Sequence, residues 1–130
     1  MASVLIVDDD ADGRAVVESY LTKAGHNVRS VANGRAALIA LAASVPDVVI
    51  LDVMMPEMNG IEFLRVIRGY LRWTTIPVIV LTAYPDGHNI DALQQLGAKH
   101  IFTKANFQLA DLAECVQQVW RDPDASCAAG

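Results

Sequence analysis

Val48-Val49-Ile50-Leu51-Asp52-Val53-Met54-Met55-Pro56-Glu57-Met58-Asn59-Gly60 is the stretch that decides how this chain folds. Four apolar residues in succession, two of them valines, read as a strand buried on both faces. The strand delivers a carboxylate, Asp52, and then Pro56 and Gly60 break the chain and open a helix. An acid at the tip of a buried strand is costly unless a cation or hydrogen-bond donors meet it. What meets Asp52 is therefore the functional question.

Outward from that strand, short apolar runs alternate with helical spacings. Val4-Leu5-Ile6-Val7 is a strand, and the apolar set Val16, Val17, Tyr20, Leu21 and Ala24 spaces a helix that Gly25 stops. Residues 27–31 alternate with polar positions and read as an edge strand; Asn33-Gly34 opens an alanine-rich helix that ends before Pro46. After the central strand, Ile61, Leu64, Ile67 and Leu71 line a helix, and Pro77-Val78-Ile79-Val80-Leu81 is a fourth strand. Ile90, Leu93 and Leu96 mark a short helix closed by Gly97, residues 100–103 a fifth strand, and residues 109–120 a last helix ended by Pro123. Five strands each followed by a helix predict an α/β fold with a parallel sheet covered on both faces. Right-handed crossovers reduce the options to a doubly wound sheet, and the flavodoxin-like order 2-1-3-4-5 is the expectation. That order opens a crevice at the carboxyl ends of the first and third strands.

The chain has 130 residues, enough for one domain with one core, and its 53% apolar and 19% charged composition argues against disorder. A net charge of −5 argues against direct nucleic-acid binding. No apolar run reaches membrane-spanning length, and Met1-Ala2-Ser3 carries no signal-peptide pattern. Cys115 and Cys127 lack metal-site spacing and read as free thiols of a cytoplasmic protein. His26, His88 and His100 are scattered, without ligand spacing, and are expected at the surface or an edge.

The strand ends carry the chemistry. The first strand ends in Asp8-Asp9-Asp10, the third in Asp52, the fourth in Thr82-Ala83 and the fifth in Thr103-Lys104. Adjacent strands lie about 4.8 Å apart, so Asp8, Asp9 and Asp52 converge on one crevice. Three carboxylates that close would repel, and some would protonate unless a cation sat among them. An all-oxygen pocket open to water suits Mg²⁺, with Mn²⁺ as the alternative ion. Lys104 adds a fixed positive charge and Thr82 a hydroxyl, together forming a clamp for phosphoryl oxygens. Asp52, in the middle, can then act as nucleophile and become an acyl phosphate.

Those residues together resemble the receiver domain of two-component response regulators, over roughly residues 3–120. The likeness rests on the acidic pair Asp8 and Asp9, the stretch from Leu51 to Gly60 around Asp52, Thr82 beside the small Ala83, and Lys104. It implies a receiver over residues 1–121, followed by a tail, 122–130, expected to be disordered. It implies that Asp52 accepts a phosphoryl group from a histidine of a sensor histidine kinase or a histidine phosphotransfer protein. Asp9, Asp52 and the backbone carbonyl of Met54 would bind Mg²⁺, with Asp8 acting largely through water; Thr82 and Lys104 would hold the phosphoryl oxygens. The output would be a changed face, made by the fourth helix, fifth strand and fifth helix, offered to a downstream effector. Such a protein is a signalling switch rather than an enzyme, cytoplasmic, and without direct contacts to membrane or nucleic acid.

Two residues depart from the family. Lys104 is followed by Ala105 where the family usually has proline, often across a cis bond, and a non-proline cis bond costs about 2.5–4 kcal/mol. The family's switch aromatic on the fifth strand falls at Ile101; Phe102 is adjacent and so faces the other side of the sheet. The alternatives are a receiver fragment of a hybrid histidine kinase or longer regulator, and a degenerate receiver that binds partners without phosphate. An aspartate-nucleophile phosphatase would need a threonine in Asp8-Asp9-Asp10-Ala11-Asp12, and a flavodoxin-like cofactor binder would need a phosphate loop where the acids stand. Asp10 and Asp12 are expected to cap and charge the first helix. Met54 and Tyr84 flank the site and are expected to control water access to the acyl phosphate.

Overall fold

The computed structural model describes residues 2–54, 58–83 and 87–122, with residues 87 and 88 described by backbone alone. Along the chain run β1 (Ser3–Val7), α1 (Ala11–Lys23), β2 (Asn27–Val31), α2 (Gly34–Ala43) and β3 (Val48–Asp52). These are followed by α3 (Gly60–Arg68), β4 (Val78–Thr82), α4 (Gly87–Gln95), β5 (His100–Thr103) and α5 (Leu109–Arg121). The five strands form one sheet in the order β2-β1-β3-β4-β5, every pair parallel. β3 and β4 are buried at every position, whereas β2, at the edge, is exposed at Asn27 and only partly covered over its remaining four residues.

Strand alternation divides the core in two. Leu5, Val7, Val49, Leu51, Val78 and Val80 point to one face and pack with α2, α3 and α4 through Leu41, Phe63, Leu64 and Leu93. Val4, Ile6, Ile50, Ile79 and Phe102 point to the other and meet α1 and α5 through Val17, Leu21, Leu112 and Val116. Each such side chain, fully buried, contributes roughly 1.5–3 kcal/mol over the exposed state. The apolar run of β3 thus serves both faces, which is why it lacks alternation.

Local signals close the helices. The Asn33 side chain accepts from Ala36 N at 2.8 Å and caps α2. Asn59 accepts from Glu62 N at 2.9 Å and its amide reaches the Glu62 carboxylate at 3.2 Å, so α3 starts in a reciprocal cap. Gly25 and Gly97, with φ of 99° and 83°, turn the chain after α1 and α4 in a conformation other residues resist. Asp12 sits in the first turn of α1 as expected; Asp10 takes the capping position, but its side chain makes no capping hydrogen bond.

Three expectations are corrected. Leu71 is not on the buried stripe of α3: the helix ends at Arg68, Gly69 caps it, and Leu71 lies in the turn beyond, 94% exposed. His26 is buried rather than superficial, because its Nδ1 accepts from Ala2 N at 3.1 Å and draws the ring under β1. Cys115 is disulfide-bonded and fully buried on α5, not a free thiol. Composition and spacing do not report which sulfurs come within bonding distance, and the cytoplasmic reading loses its cysteine argument. Cys127, the tail from residue 123, Tyr84, the side chain of His88, and residues 55–57 of the opening stretch lie outside the described residues.

Among the described residues, no helix is long and apolar enough to cross a membrane.

Candidate functional site

Register builds the site. Val7 of β1 pairs with Leu51 of β3, and one further residue along each strand sets Asp8 beside Asp52. Asp52 in turn pairs with Leu81 of β4, one residue before Thr82, and Thr82 pairs with Thr103 of β5, one residue before Lys104. The carboxyl ends of four strands therefore present Asp8, Asp52, Thr82 and Lys104 along one edge of the sheet. Asp8, Asp52 and Thr82 are each only 3% exposed, while Asp9 is open to solvent.

One carboxylate oxygen from each of Asp8, Asp9 and Asp52 lies within 4.8 Å of the others. Lys104 Nζ approaches from the far side, 3.0 Å from Asp8 Oδ2 and 3.4 Å from Asp52 Oδ2. It also donates to Asp8 Oδ1 at 3.2 Å. No peptide bond among the described residues is cis, so Lys104-Ala105 is trans, and Lys104 still reaches both acids. Its backbone N–H donates to Thr82 O at 2.8 Å, fixing the lysine's origin at the β4 end.

Backbone donors hold the acids. Met54 N donates to Asp52 Oδ1 at 3.1 Å, and Asp10 N donates to Asp8 Oδ1 at 2.9 Å. Arg14, one turn into α1, donates from Nη1 to the Asp8 carbonyl at 2.7 Å. Sequence reasoning passed over Arg14; the available signal was an arginine placed to reach back along the first turn of α1 onto the acidic loop. Gly60 permits the closest approach: a Cβ there would lie 2.6 Å from the Asp52 carbonyl oxygen and 2.7 Å from Val53 Cα. Met54 is half exposed beside the acids.

Electrostatics mark Asp52 apart from its neighbours. Burial is the main cause that pushes its carboxyl up to about 7; the Asp8 charge adds to this, and Lys104 and the Met54 N–H oppose it. Burial draws the Lys104 ammonium down, but its hydrogen bond to Asp8 and the charges of Asp52 and Asp8 outweigh that and raise it above its ordinary value. A buried carboxyl raised that far is costly to keep ionised without a cation beside it. A divalent cation among the three carboxylates would restore its charge. The donor set is all oxygen and partly open to water, which fits Mg²⁺.

Ile101 packs with the α3/α4 face of the core and Phe102 with the α1/α5 face, so no aromatic occupies the family's switch position on β5.

The chain is similar over residues 4–117 to the family described as the response regulator receiver domain, and it belongs to that family. It is 43% identical over 84 residues to the transcriptional regulatory protein GltR of Pseudomonas aeruginosa, a match spanning 65% of this chain and 35% of that protein. It is 39% identical over 104 residues to the transcriptional regulatory protein KdpE of Mycobacterium tuberculosis, spanning 80% of this chain and 45% of that one. The chain thus spans less than half the length of these relatives. Among solved structures, the Vibrio cholerae chemotaxis protein CheY4 superposes with a TM-score of 0.84 at 34% identity, covering 92% of this chain and 98% of that one. Receiver domains are signalling switches of two-component systems, and phosphoaspartate and Mg²⁺ binding are typical of them.

Proposed function

We propose that this chain is a phosphorylation switch in which Asp52 takes a phosphoryl group from the phosphohistidine of a sensor histidine kinase or a histidine phosphotransfer protein. A bond forms between a carboxylate oxygen of Asp52 and phosphorus as the nitrogen–phosphorus bond breaks; the imidazole nitrogen keeps the electron pair and takes a proton. The observation that carries this reading is the position of Lys104, 3.0 Å from Asp8 and 3.4 Å from Asp52, against three carboxylates within 4.8 Å of one another.

Asp9, Asp52 and the Met54 carbonyl are the residues to hold Mg²⁺, with Asp8 acting through water. When bound, the ion offsets negative charge on the acids and on phosphoryl oxygens. The chain's own residues do the rest. Met54 N fixes one Asp52 oxygen and so orients the other. Lys104 exchanges part of its contact with Asp8 for a phosphoryl oxygen, and Thr82, buried at the end of β4, offers a second contact. Drawing Lys104 and Thr82 toward the phosphoryl group shifts the ends of β4 and β5, and with them the face made by α4, β5 and α5 that a downstream effector reads. With Ile101 at the aromatic position, that shift proceeds by aliphatic repacking.

The test is incubation with Mg²⁺ and acetyl phosphate, or beryllofluoride as mimic. A mass gain at Asp52 is expected, absent in Asp52→Asn and absent in EDTA. Modification that persists in Asp52→Asn would move the phosphoacceptor to another residue, and no Mg²⁺ affinity at all would leave a receiver that binds partners without phosphate.

A further inference from the structure

The opposite end of the sheet holds a cavity of about 690 Å³, within the range of small-ligand sites. It lies among the loops that enter β3, β4 and β5, far from the acids. Its charged lining is Asp47, Arg68, Arg72 and Lys99, and Trp120 from the end of α5 contributes an aromatic wall. Three cations thus converge on one cavity in a chain whose net charge is −5.

None of the three meets a carboxylate among the described residues. Arg68 spends its hydrogen bonds on backbone carbonyls: Leu96 O at 2.8 Å, Thr74 O at 3.1 Å and Ile76 O at 2.8 Å. It ties the α3–β4 and α4–β5 loops together while its charge stays uncompensated, and burial lowers its pKa accordingly. The side chains of Arg72 and Lys99 make no hydrogen bond or ion pair among the described residues. Asp47, the one acid in the lining among the described residues, is engaged: its Oδ2 accepts from Ser3 N at 2.8 Å. The carboxyl ends of α3, α4 and α5 point to this end, and their partial negative charge attracts cations. Arg68 serves that role through its carbonyl contacts. Arg72 and Lys99 bind no carbonyl, so their charge remains available to a ligand.

We propose that this cavity binds a small organic anion with the size and chemistry of a nucleoside monophosphate, its phosphate against Arg72 and Lys99 and its ring against Trp120. Arg68 adds long-range attraction from behind without leaving its carbonyls. The site does not depend on phosphorylation of Asp52.

Calorimetric titration of the full chain, in EDTA and at low salt, tests this with adenosine and guanosine 5′-monophosphate. Inorganic phosphate serves as the ring-free control and adenosine as the charge-free one. Nucleotide Kd values below about 1 mM are expected, with both controls at least about tenfold weaker. The double variant Arg72→Gln, Lys99→Gln, which removes no hydrogen bond or ion pair found among the described residues, should weaken nucleotide binding by about tenfold or more, while Asp52→Asn leaves it unchanged. Absence of nucleotide binding, indifference to the double variant, loss in Asp52→Asn, or phosphate binding as tightly as the nucleotides would each overturn the proposal.

Discussion

Replacing Asp52 by asparagine should make the metal-free protein more stable, although it removes the residue on which the proposed function rests. Burial raises the Asp52 carboxyl from 3.8 to about 7. Between those values the folded protein keeps a proton that the unfolded chain has released, so stability falls as pH rises through the window. The gap is about three pH units at 1.36 kcal/mol each, giving an upper bound of about 4 kcal/mol at pH 8. Local relaxation around the carboxylate and the nearby Lys104 charge reduce the expected gain for Asp52→Asn, which resembles the neutral acid, to roughly 2–4 kcal/mol. For a domain of this size that is a rise in Tm of roughly 6–15 °C. The assay is urea or thermal unfolding of both proteins in EDTA from pH 4 to 8. The difference should be near zero at pH 4, grow through neutrality and level off above it. Adding Mg²⁺ at one hundred times its Kd should stabilise the wild type by about 2.7 kcal/mol and close much of the gap. If Asp52→Asn were no more stable at pH 8 in EDTA, or if the difference ignored pH, the reasoning about a buried, uncompensated charge would be refuted.

Lys104→Met should destabilise by about 1–3 kcal/mol at pH 8, since it leaves Asp8 and Asp52 buried without their cation; chemical denaturation measures it, and the loss should shrink on acidification. Gly60→Ala should cost more than about 2 kcal/mol and weaken Mg²⁺ binding, because the new methyl meets backbone at 2.6 and 2.7 Å. Gly34→Ala, whose methyl would meet the flexible Met58 side chain at 2.9–3.2 Å, should change stability by less than about 1 kcal/mol in the same assay. Burial and the nearby N-terminal charge lower the pKa of His26. Its folded form therefore resists a proton that the unfolded chain accepts, and stability should fall as pH drops through 6.5 and below. His26→Leu should remove that dependence, as read from denaturant midpoints at pH 5 and 8.

Most of the architecture was legible because the strands are short apolar runs whose ends carry the informative residues. Val48 to Leu51 announced a strand covered on both sides, and the polar alternation of residues 27–31 announced the edge. The convergence of Asp8, Asp9 and Asp52 followed from strand order alone. What escaped was set by one local stop and by tertiary contacts. Leu71 fits helical spacing from Ile67, yet Gly69 ends the helix first. His26 is hidden by a bond to Ala2, 24 residues away in sequence. Lys104 was expected to serve phosphoryl oxygens; in the folded protein it sits nearer Asp8 than Asp52, a preference no one-dimensional pattern encodes. Arg14 likewise acts through a backbone carbonyl, a partner with no signature in the sequence.

The sheet acts as a partition between two groups of side chains that do not touch. Energetic effects of substitutions on opposite sides, Leu64→Ala and Leu112→Ala for example, should therefore sum almost independently, whereas Leu64→Ala and Leu93→Ala, sharing one compartment, should not. Such a molecule can drift in composition on the α1/α5 side without disturbing the α3/α4 side, and selection can act on each as a separate unit.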